Sequence, residues 1–306
     1  MSKERVKSYI LLLIVTAIWG IAGPIIKYTL PDFPPMIFLT YRFFISSILM
    51  LPIAIVLKPK FPKSKREIIM LTLAGLFGSS INMALLFYGY DKSNVLDASI
   101  IGNTAPIFVV LGGAILLREN VTKKEIVGII TTLLGTLIVV AEPLFNDIQI
   151  GERSTMGNLL IILANIAWVI YVIITKKELH HKIDVLLMTT YMFVLGFLSC
   201  LPFALYQSGG ATNLLYTVSL APFKAHLGVW YMAVLSGSLA YFLFQKGQKN
   251  IEASEATLFS YLSPIFAAPL AVFWLKEEVT LPFIIGTTII ILGVFVAEYR
   301  KTKGTK

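Results

Sequence analysis

Cysteine, histidine and charged residues are scarce in this chain. Its 306 residues include one cysteine, Cys200, and three histidines. A single cysteine excludes an intrachain disulfide framework and leaves a cysteine-based metal site without partners. His180 and His181 fall in a lysine-rich loop, which favours a solvated loop over a metal site. Because the sequence contains no phosphate loop, nucleotide fingerprint or metal-ligand cluster, we expect no cofactor.

The low charge excludes several classes of protein. Charged residues make up 14% of the chain and hydrophobic residues 57%, against about 25% and 45–50% in soluble domains. A water-soluble fold of this length would lack the polar surface to cover its exterior. Soluble enzymes, nucleic-acid binders and disordered proteins are therefore disfavoured. The net charge of +9 sits mainly in short loops between apolar stretches, which is typical of a membrane protein.

Long apolar stretches dominate what is present. A bilayer core needs about 20 mostly apolar residues per helix, and ten stretches qualify. They cover residues 9–29, 35–57, 67–89, 95–117, 123–141, 156–177, 184–206, 226–247, 254–275 and 281–299. The first is too long for a cleaved signal peptide, so we interpret it as a retained span.

The basic residues predict the orientation of these spans. Of the 26 Lys and Arg residues, 20 fall on the side of the N-terminus, five on the other side, and Arg42 lies inside span two. Basic loops stay in the cytoplasm. We therefore expect a multi-pass protein of the cell (plasma or inner) membrane with both termini in the cytoplasm.

The two halves of the chain resemble each other. Trp19 is followed eight residues later by Lys27, as Trp168 is by Lys176. A second block recurs 158 residues later: Pro106-Ile107-Phe108 with Glu119 matches Pro264-Ile265-Phe266 with Glu277. Because each half holds five spans, an odd number, the second copy enters the membrane from the opposite side. We predict an all-α integral membrane protein whose ten transmembrane helices form two inverted five-helix repeats, residues 1–145 and 155–306.

Inverted repeats are associated with secondary transporters, whose site lies near the bilayer midplane. The sequence also resembles the ten-span branch of the drug/metabolite transporter superfamily, with two EamA-type repeats. The resemblance is carried by Thr16-Ala17-Ile18-Trp19-Gly20, Arg42-Phe43, Asn103-Thr104-Ala105-Pro106, Ser263-Pro264 and Leu275-Lys276-Glu277-Glu278-Val279-Thr280. The resemblance implies a carrier of small metabolites. These are often amino acids or related solutes, and the transport is often outward. Two departures are the missing glycine after Trp168 and Met192 where span two has Arg42.

Polar and aromatic residues near the span centres are the candidate substrate-binding residues. They share faces of spans one, three, four, six, eight and nine: Trp19, Ser79, Asn82, Asn103, Asn165, Trp168, Tyr241 and Tyr261. Pro106 and Pro264 each remove a backbone donor inside a helix, which predicts free carbonyls at mid-membrane and makes both prolines candidate hinges.

Arg42 is the one clear ionisable residue within a predicted span. A charge inside the membrane suggests a functional role. Arg42 could attract the carboxylate of a solute, or its side chain could instead reach the outer surface or a helix end. No span has a carboxylate at its centre, which disfavours proton-driven antiport of cationic drugs.

These patterns predict a secondary transporter that moves small metabolites, and no enzyme, since no acid, His or Cys residues cluster as a catalytic site would require. Two alternatives remain open: a multidrug exporter, and a receptor or assembly protein that transports nothing. Spans five and ten are almost without polar residues, so we expect them at the periphery or at the contact of a homodimer.

Overall fold

The computed structural model describes residues 3–59, 61–62, 64–102, 104–117, 122–141, 152–180, 183–249, 251 and 259–298. These residues form helices and their connections, with no β-strand among them. We number the helices in chain order. They are α1 (Lys3–Thr29), α2 (Pro35–Leu57), α3 (Lys65–Lys92), α4 (Val95–Gly112), α5 (Lys123–Ala141), α6 (Glu152–His180), α7 (Val185–Ser208), α8 (Ala211–Leu220), α9 (Phe223–Gln248), α10 (Ser263–Phe273) and α11 (Leu281–Glu298).

Seven of the described helices are long and apolar enough to cross a membrane, namely α1, α2, α3, α4, α6, α7 and α9. Shorter apolar segments, Ile126–Val139 and Leu281–Gly293, lie in α5 and α11. The exterior of these helices is apolar, as Ile53, Val56 and Phe203 show by their exposure. Lipid rather than water suits such a surface. The protein is therefore a multi-pass helical membrane protein.

Several helix ends follow from local sequence. Ser64 and Glu67 form a capping box at the start of α3, and the Asp184 side chain accepts a hydrogen bond from the Leu186 N–H at 2.8 Å. Thr280 accepts a bond from the Phe283 N–H at 3.3 Å where α11 begins. These side chains satisfy backbone donors that the first helical turn leaves free.

The short helix α8 is the element that the sequence does not predict. It follows the turn at Gly209 and Gly210, whose φ angles of 74° and 128° suit glycine. None of its residues is buried, and Leu215 and Tyr216 are exposed. It contacts α7 and has the apolar exposed surface of a helix that lies at a membrane interface.

The helix contacts recur between the two halves. Helix α3 packs against α6 as α9 packs against α1, and α4 packs against α6 as α10 packs against α1. Two pairs, α2 with α7 and α5 with α11, connect helices that occupy the same place in each half. In the α5–α11 pair, Gly135 and Gly286 bring the two backbones into direct contact.

Two lysines make equivalent contacts at opposite ends of this bundle. Lys27 at the end of α1 donates to the carbonyls of Tyr90 (2.9 Å) and Ser93 (2.5 Å) at the end of α3. Lys176 near the end of α6 donates to the carbonyl of Gln248 (2.8 Å) at the end of α9 and to that of Ile251. Each lysine thereby satisfies carbonyls that a helix end leaves without partners.

Candidate functional site

A cavity of about 190 Å³ lies where α1, α2, α3, α4, α6, α9 and α10 meet. The candidate residues of the sequence lie on spans one, three, four, six, eight and nine, which are α1, α3, α4, α6, α9 and α10, and Arg42 lies on α2. The cavity extends from Trp19 and Trp168, in the middle of α1 and α6, to Ile26 and Tyr90 near the ends of α1 and α3. It therefore occupies the half of the bundle that holds Lys27. We call this the outer half, and the half that holds the start of α1 the inner half.

Six of the predicted residues line the cavity: Trp19, Arg42, Asn82, Asn165, Trp168 and Tyr241. Ser79 does not line it. The Ser79 hydroxyl lies between α3 and α7 and donates to the carbonyls of Gly75 (2.6 Å) and Met192 (3.0 Å). Asn103 and the side chains of Tyr261, Pro106 and Pro264 lie outside the described residues.

Aromatic rings form the floor of the cavity. The Trp19 ring centroid is 5.4 Å from that of Trp168, with an interplanar angle of 87°, and 5.3 Å from that of Tyr241. Phe244 lies 5.3 Å from both tryptophans. Such edge-to-face contacts add stability beyond the buried area. Three members of this cluster, Trp19, Trp168 and Tyr241, line the cavity on its inner side.

The indole of Trp19 finds its hydrogen-bond partner through an irregular stretch of α9. Its Nε1 donates to the Ser236 carbonyl at 3.0 Å. Ser236 belongs to the π-helical segment Tyr231–Leu239, and α3 contains a second such segment, Leu76–Ile81. A π-helical turn shifts the backbone ladder and is frequent at functional sites. In this protein the shift supplies a carbonyl to a tryptophan at the centre of the bundle.

Arg42 places a cation in the cavity. The side chain is 1% exposed, so it does not reach the outer surface. Its Nη1 lies 3.3 Å from the Met83 sulfur, a weak acceptor, and its Nε has no partner in the described part of the chain. The rings of Phe43 and Phe87 lie 5.6 and 5.8 Å from its guanidinium carbon. Within the described residues no carboxylate forms an ion pair with it. A buried charge with so few partners can bind an anion strongly.

The two asparagines that line the cavity also donate hydrogen bonds to backbone carbonyls. Asn165 Nδ2 donates to the Ile101 carbonyl at 2.8 Å, where α4 is interrupted between Val95–Gly102 and Ala105–Gly112. Asn82 Nδ2 donates to the Ala164 carbonyl at 2.7 Å. Its Oδ1 is buried without a partner among the described residues. The cavity therefore offers one unpaired acceptor beside the donors of Arg42.

The sequence did not identify every residue of the cavity. Leu86 and Tyr90 line it on the same face of α3 as Asn82, and Met83 and Ser99 are further lining residues. The i, i+4, i+8 spacing from Asn82 could have indicated the first two. Ser236 carries no such signal, because its role depends on the π-helical segment.

Within the described residues, no group of three or more His, Cys, Asp or Glu side chains could hold a metal ion.

The helices and the space between them define a multi-pass membrane protein with a central cavity. A profile described as the EamA-like transporter family matches residues 6–141 and 155–299. The chain therefore belongs to the EamA-like transporter family.

The chain is similar to several proteins described as transporters. It is 28% identical over 303 residues to the uncharacterized transporter YyaM of Bacillus subtilis (strain 168), covering 96% of this chain and 94% of that protein. It is 29% identical over 300 residues to an uncharacterized transporter of Archaeoglobus fulgidus, covering 96% of this chain and 100% of that protein. A probable amino-acid metabolite efflux pump of Escherichia coli (strain K12) is 23% identical over 294 residues, which cover 95% of this chain and 94% of the pump.

One solved structure, described as the crystal structure of a protein, matches 96% of this chain and 98% of its own length with a TM-score of 0.63. At 15% sequence identity this likeness concerns the fold alone.

Proposed function

We propose that the protein is a secondary transporter that exports small metabolites, amino acids or related solutes, by alternating access. The observation that carries this proposal is the central cavity, where six residues predicted from the sequence converge. Pockets for drug-sized ligands measure about 300–1,000 Å³. A cavity of about 190 Å³ suits a smaller solute.

An inverted repeat of residues 1–145 and 155–306 is part of the proposal. It is supported by two pairs of equivalent hydrogen bonds. The lysine contacts of Lys27 and Lys176 are one pair. In the other, Thr16 donates to the Phe259 carbonyl at 3.0 Å as Asn165 donates to the Ile101 carbonyl at 2.8 Å. Rocking of one repeat against the other would then expose the central site to each face in turn.

The solute that fits this cavity carries a carboxylate and an apolar body. Arg42 supplies the donors for a carboxylate, and the rings of Trp19, Trp168 and Tyr241 supply the apolar contact. The name of the Escherichia coli relative, which mentions amino-acid metabolites, is consistent with such a solute. A cationic drug would meet the Arg42 charge, with no carboxylate among the described lining residues to balance its own.

The location follows from the same reasoning. We propose the cell membrane, with both termini in the cytoplasm, because the basic residues concentrate on the side of the N-terminus. The ion pair between Arg66 at the start of α3 and Glu178 near the end of α6, at 3.3 Å, supports this topology, in which these two helix ends share one face.

A two-stage experiment tests the proposed function. The detergent-solubilised protein is first screened by thermal shift against amino acids, other small carboxylates, nucleosides, sugars and cationic dyes, since a binder raises the unfolding temperature by mass action. Flux of the best binder is then measured in proteoliposomes. We expect Trp168→Ala and Asn103→Ala to lower this flux with normal expression. Unchanged flux in both variants would remove the site, and acid-dependent efflux of cationic dyes would favour a multidrug exporter.

A further inference from the structure

The inner half of the bundle contains a packed counterpart of the cavity. The repeat relates Ala22, Gly23 and Ile26 of the cavity wall to Tyr171, Val172 and Thr175 in α6, 149 residues later. The outer residues line the cavity, although Ala22 and Ile26 are themselves only 6% and 2% exposed. The inner residues are each fully buried.

The cavity wall formed by α3 also has a counterpart in the inner half, formed by α9. The equivalent lysine contacts match Tyr90 with Gln248, a difference of 158 residues. The cavity residues Met83 and Leu86 then correspond to Tyr241 and Phe244 in α9.

Larger side chains fill the inner half. The Tyr171 ring occupies the space that a Cβ at Gly78 would need, and it lies 5.0 Å from the ring of Trp168. Gln245 Nε2 donates to the Tyr171 hydroxyl at 3.0 Å. Contacts among these side chains join the inner halves of α6 and α9.

Part of this packed region is polar without being satisfied. Gln248 is 0% exposed, yet within the described part of the chain neither its Oε1 nor its Nε2 has a hydrogen-bond partner. The Oε1 of Gln245 is also buried without one. Buried polar atoms without partners are rare and need an explanation. If this region stayed packed throughout the transport cycle, apolar side chains at these positions would make the protein more stable.

We propose that the inner halves of α6 and α9 form the closed cytoplasmic half of the solute pathway, lined by Thr175, Gln245 and Gln248. This inference rests on the proposed function. When the two helices separate, water and solute reach the two glutamine amides and satisfy them. The unpaired atoms therefore lower the free energy of the open state relative to the closed one.

Cysteine accessibility tests the pathway, and the chain offers a simple background because it contains one cysteine. In a Cys200→Ser protein, single variants Gln245→Cys and Gln248→Cys are exposed to sulfonatoethyl methanethiosulfonate from either face of oriented vesicles. The control is Ile173→Cys, on the same helix as Thr175, with a buried side chain that packs against Gly112. We expect the cysteines at positions 245 and 248 to be modified from the cytoplasmic face about tenfold faster than the cysteine at position 173. The open state, though a minority, exposes the two lining positions and leaves position 173 packed.

The outcomes separate the two proposals. If Leu86→Cys reacts from the outer face while positions 245 and 248 react no faster than 173 from either face, the inner pathway is refuted and the proposed function stands. If Leu86→Cys and Gln248→Cys both react from one face, the inverted repeat fails, and the proposed function fails with it.

A second variant tests the polar lining without a cysteine in it. The double change Gln245→Leu and Gln248→Leu, in a Thr175→Cys background, replaces unpaired amides by apolar groups and favours the closed packing. We expect several-fold slower modification of position 175 from the cytoplasmic face. An unchanged rate would refute the role of the two glutamines.

Discussion

Arg42 combines two properties that a structural side chain rarely has, since it is both buried and without a carboxylate partner among the described residues. A buried charge that lacks a partner destabilises the protein that carries it. The same charge binds an incoming carboxylate strongly, because little remains to be desolvated. Stability and binding are therefore expected to respond to Arg42 in opposite directions.

Arg42→Met tests this opposition. We expect the unfolding temperature of the solute-free protein to stay level or rise, because an unpaired buried charge is lost. Binding of a carboxylate solute is expected to weaken by about 2–5 kcal/mol, the usual cost of truncating one partner of a buried ion pair. Thermal shift with and without the solute measures both effects. The exposed residue Lys65 provides the control variant Lys65→Met. A protein with weaker folding and intact solute binding would contradict the assignment.

Asn165 is expected to act on stability through the interruption of α4. Its amide donates to the Ile101 carbonyl at 2.8 Å and to the Thr104 hydroxyl at 3.2 Å. Asn165→Ala removes this donor from a buried carbonyl, which costs about 1–3 kcal/mol. Thermal unfolding in detergent should show a lower midpoint, and Thr16→Val, which removes the equivalent donor to Phe259, should show a drop of the same sign. Unchanged midpoints in both variants would contradict the equivalence of the two contacts.

At the scale of elements, the turn between α3 and α4 is held by charged side chains from elsewhere. Lys27 binds carbonyls at the end of α3. The Glu277 carboxylate accepts from the Val95 N–H at 2.7 Å and the Leu96 N–H at 2.8 Å, where α4 begins. A cation at the helix end and an anion at the helix start both suit the helix dipole.

Glu277→Ala is therefore expected to loosen the first turn of α4. Removal of a capping acceptor costs about 0.5–2 kcal/mol. Hydrogen exchange should become faster at the amides of Val95 and Leu96. The neighbouring Glu278→Ala makes the same change in charge and should leave these amides protected. Equal exchange in the two variants would remove Glu277 as the cap.

The contact between α5 and α11 depends on glycine. A Cβ at Gly135 would lie 2.7 Å from the Gly286 carbonyl oxygen, which is closer than packed atoms allow. Gly135→Ala should lower the unfolding midpoint, since overpacking costs about 1–3 kcal/mol. Gly102→Ala is the control, because a Cβ there meets no atom within 4 Å. If both variants unfold at the same temperature, the glycine contact contributes nothing measurable.

At the scale of the whole molecule, the proposed inverted repeat depends on the face of the membrane at which each helix end emerges. Inversion of the second repeat requires that corresponding ends of the two halves emerge on opposite faces. It also requires the end of α2 and the end of α6 to share one face.

Labelling of engineered cysteines tests this topology. In a Cys200→Ser background, Lys63→Cys and His180→Cys should both react with an impermeant thiol reagent from the cytoplasmic side. Asn213→Cys, in the exposed helix α8, should react from the other side. Positions 63 and 180 in opposite compartments would disprove the inverted repeat.

Much of the architecture could be predicted because it depends on one-dimensional properties. Apolar length indicated most of the helices, since the ten apolar stretches of the sequence coincide with described helices. The helices around the cavity could also be named, since their polar residues lie near the span centres. Helix α8 was missed because its apolar stretch is short and lies beside a polar loop.

Side-chain direction could not be predicted in the same way. Ser79 and Asn82 share a face of α3 by spacing, yet Ser79 binds the Met192 carbonyl of α7 while Asn82 lines the cavity. The π-helical segment Leu76–Ile81 ends between them, and it changes the angle between successive side chains.

By itself, then, the sequence determined a membrane-embedded helical chain with two similar halves, because hydropathy, loop charge and internal repetition are properties of residue order. Only the tertiary structure decided that Arg42 enters the cavity, that Trp19 binds the Ser236 carbonyl, and that Tyr171 packs where its counterpart Ala22 lines the cavity. The physical reason is that these contacts depend on helix rotation and on local changes of helical pitch, which only the packing of neighbouring helices sets.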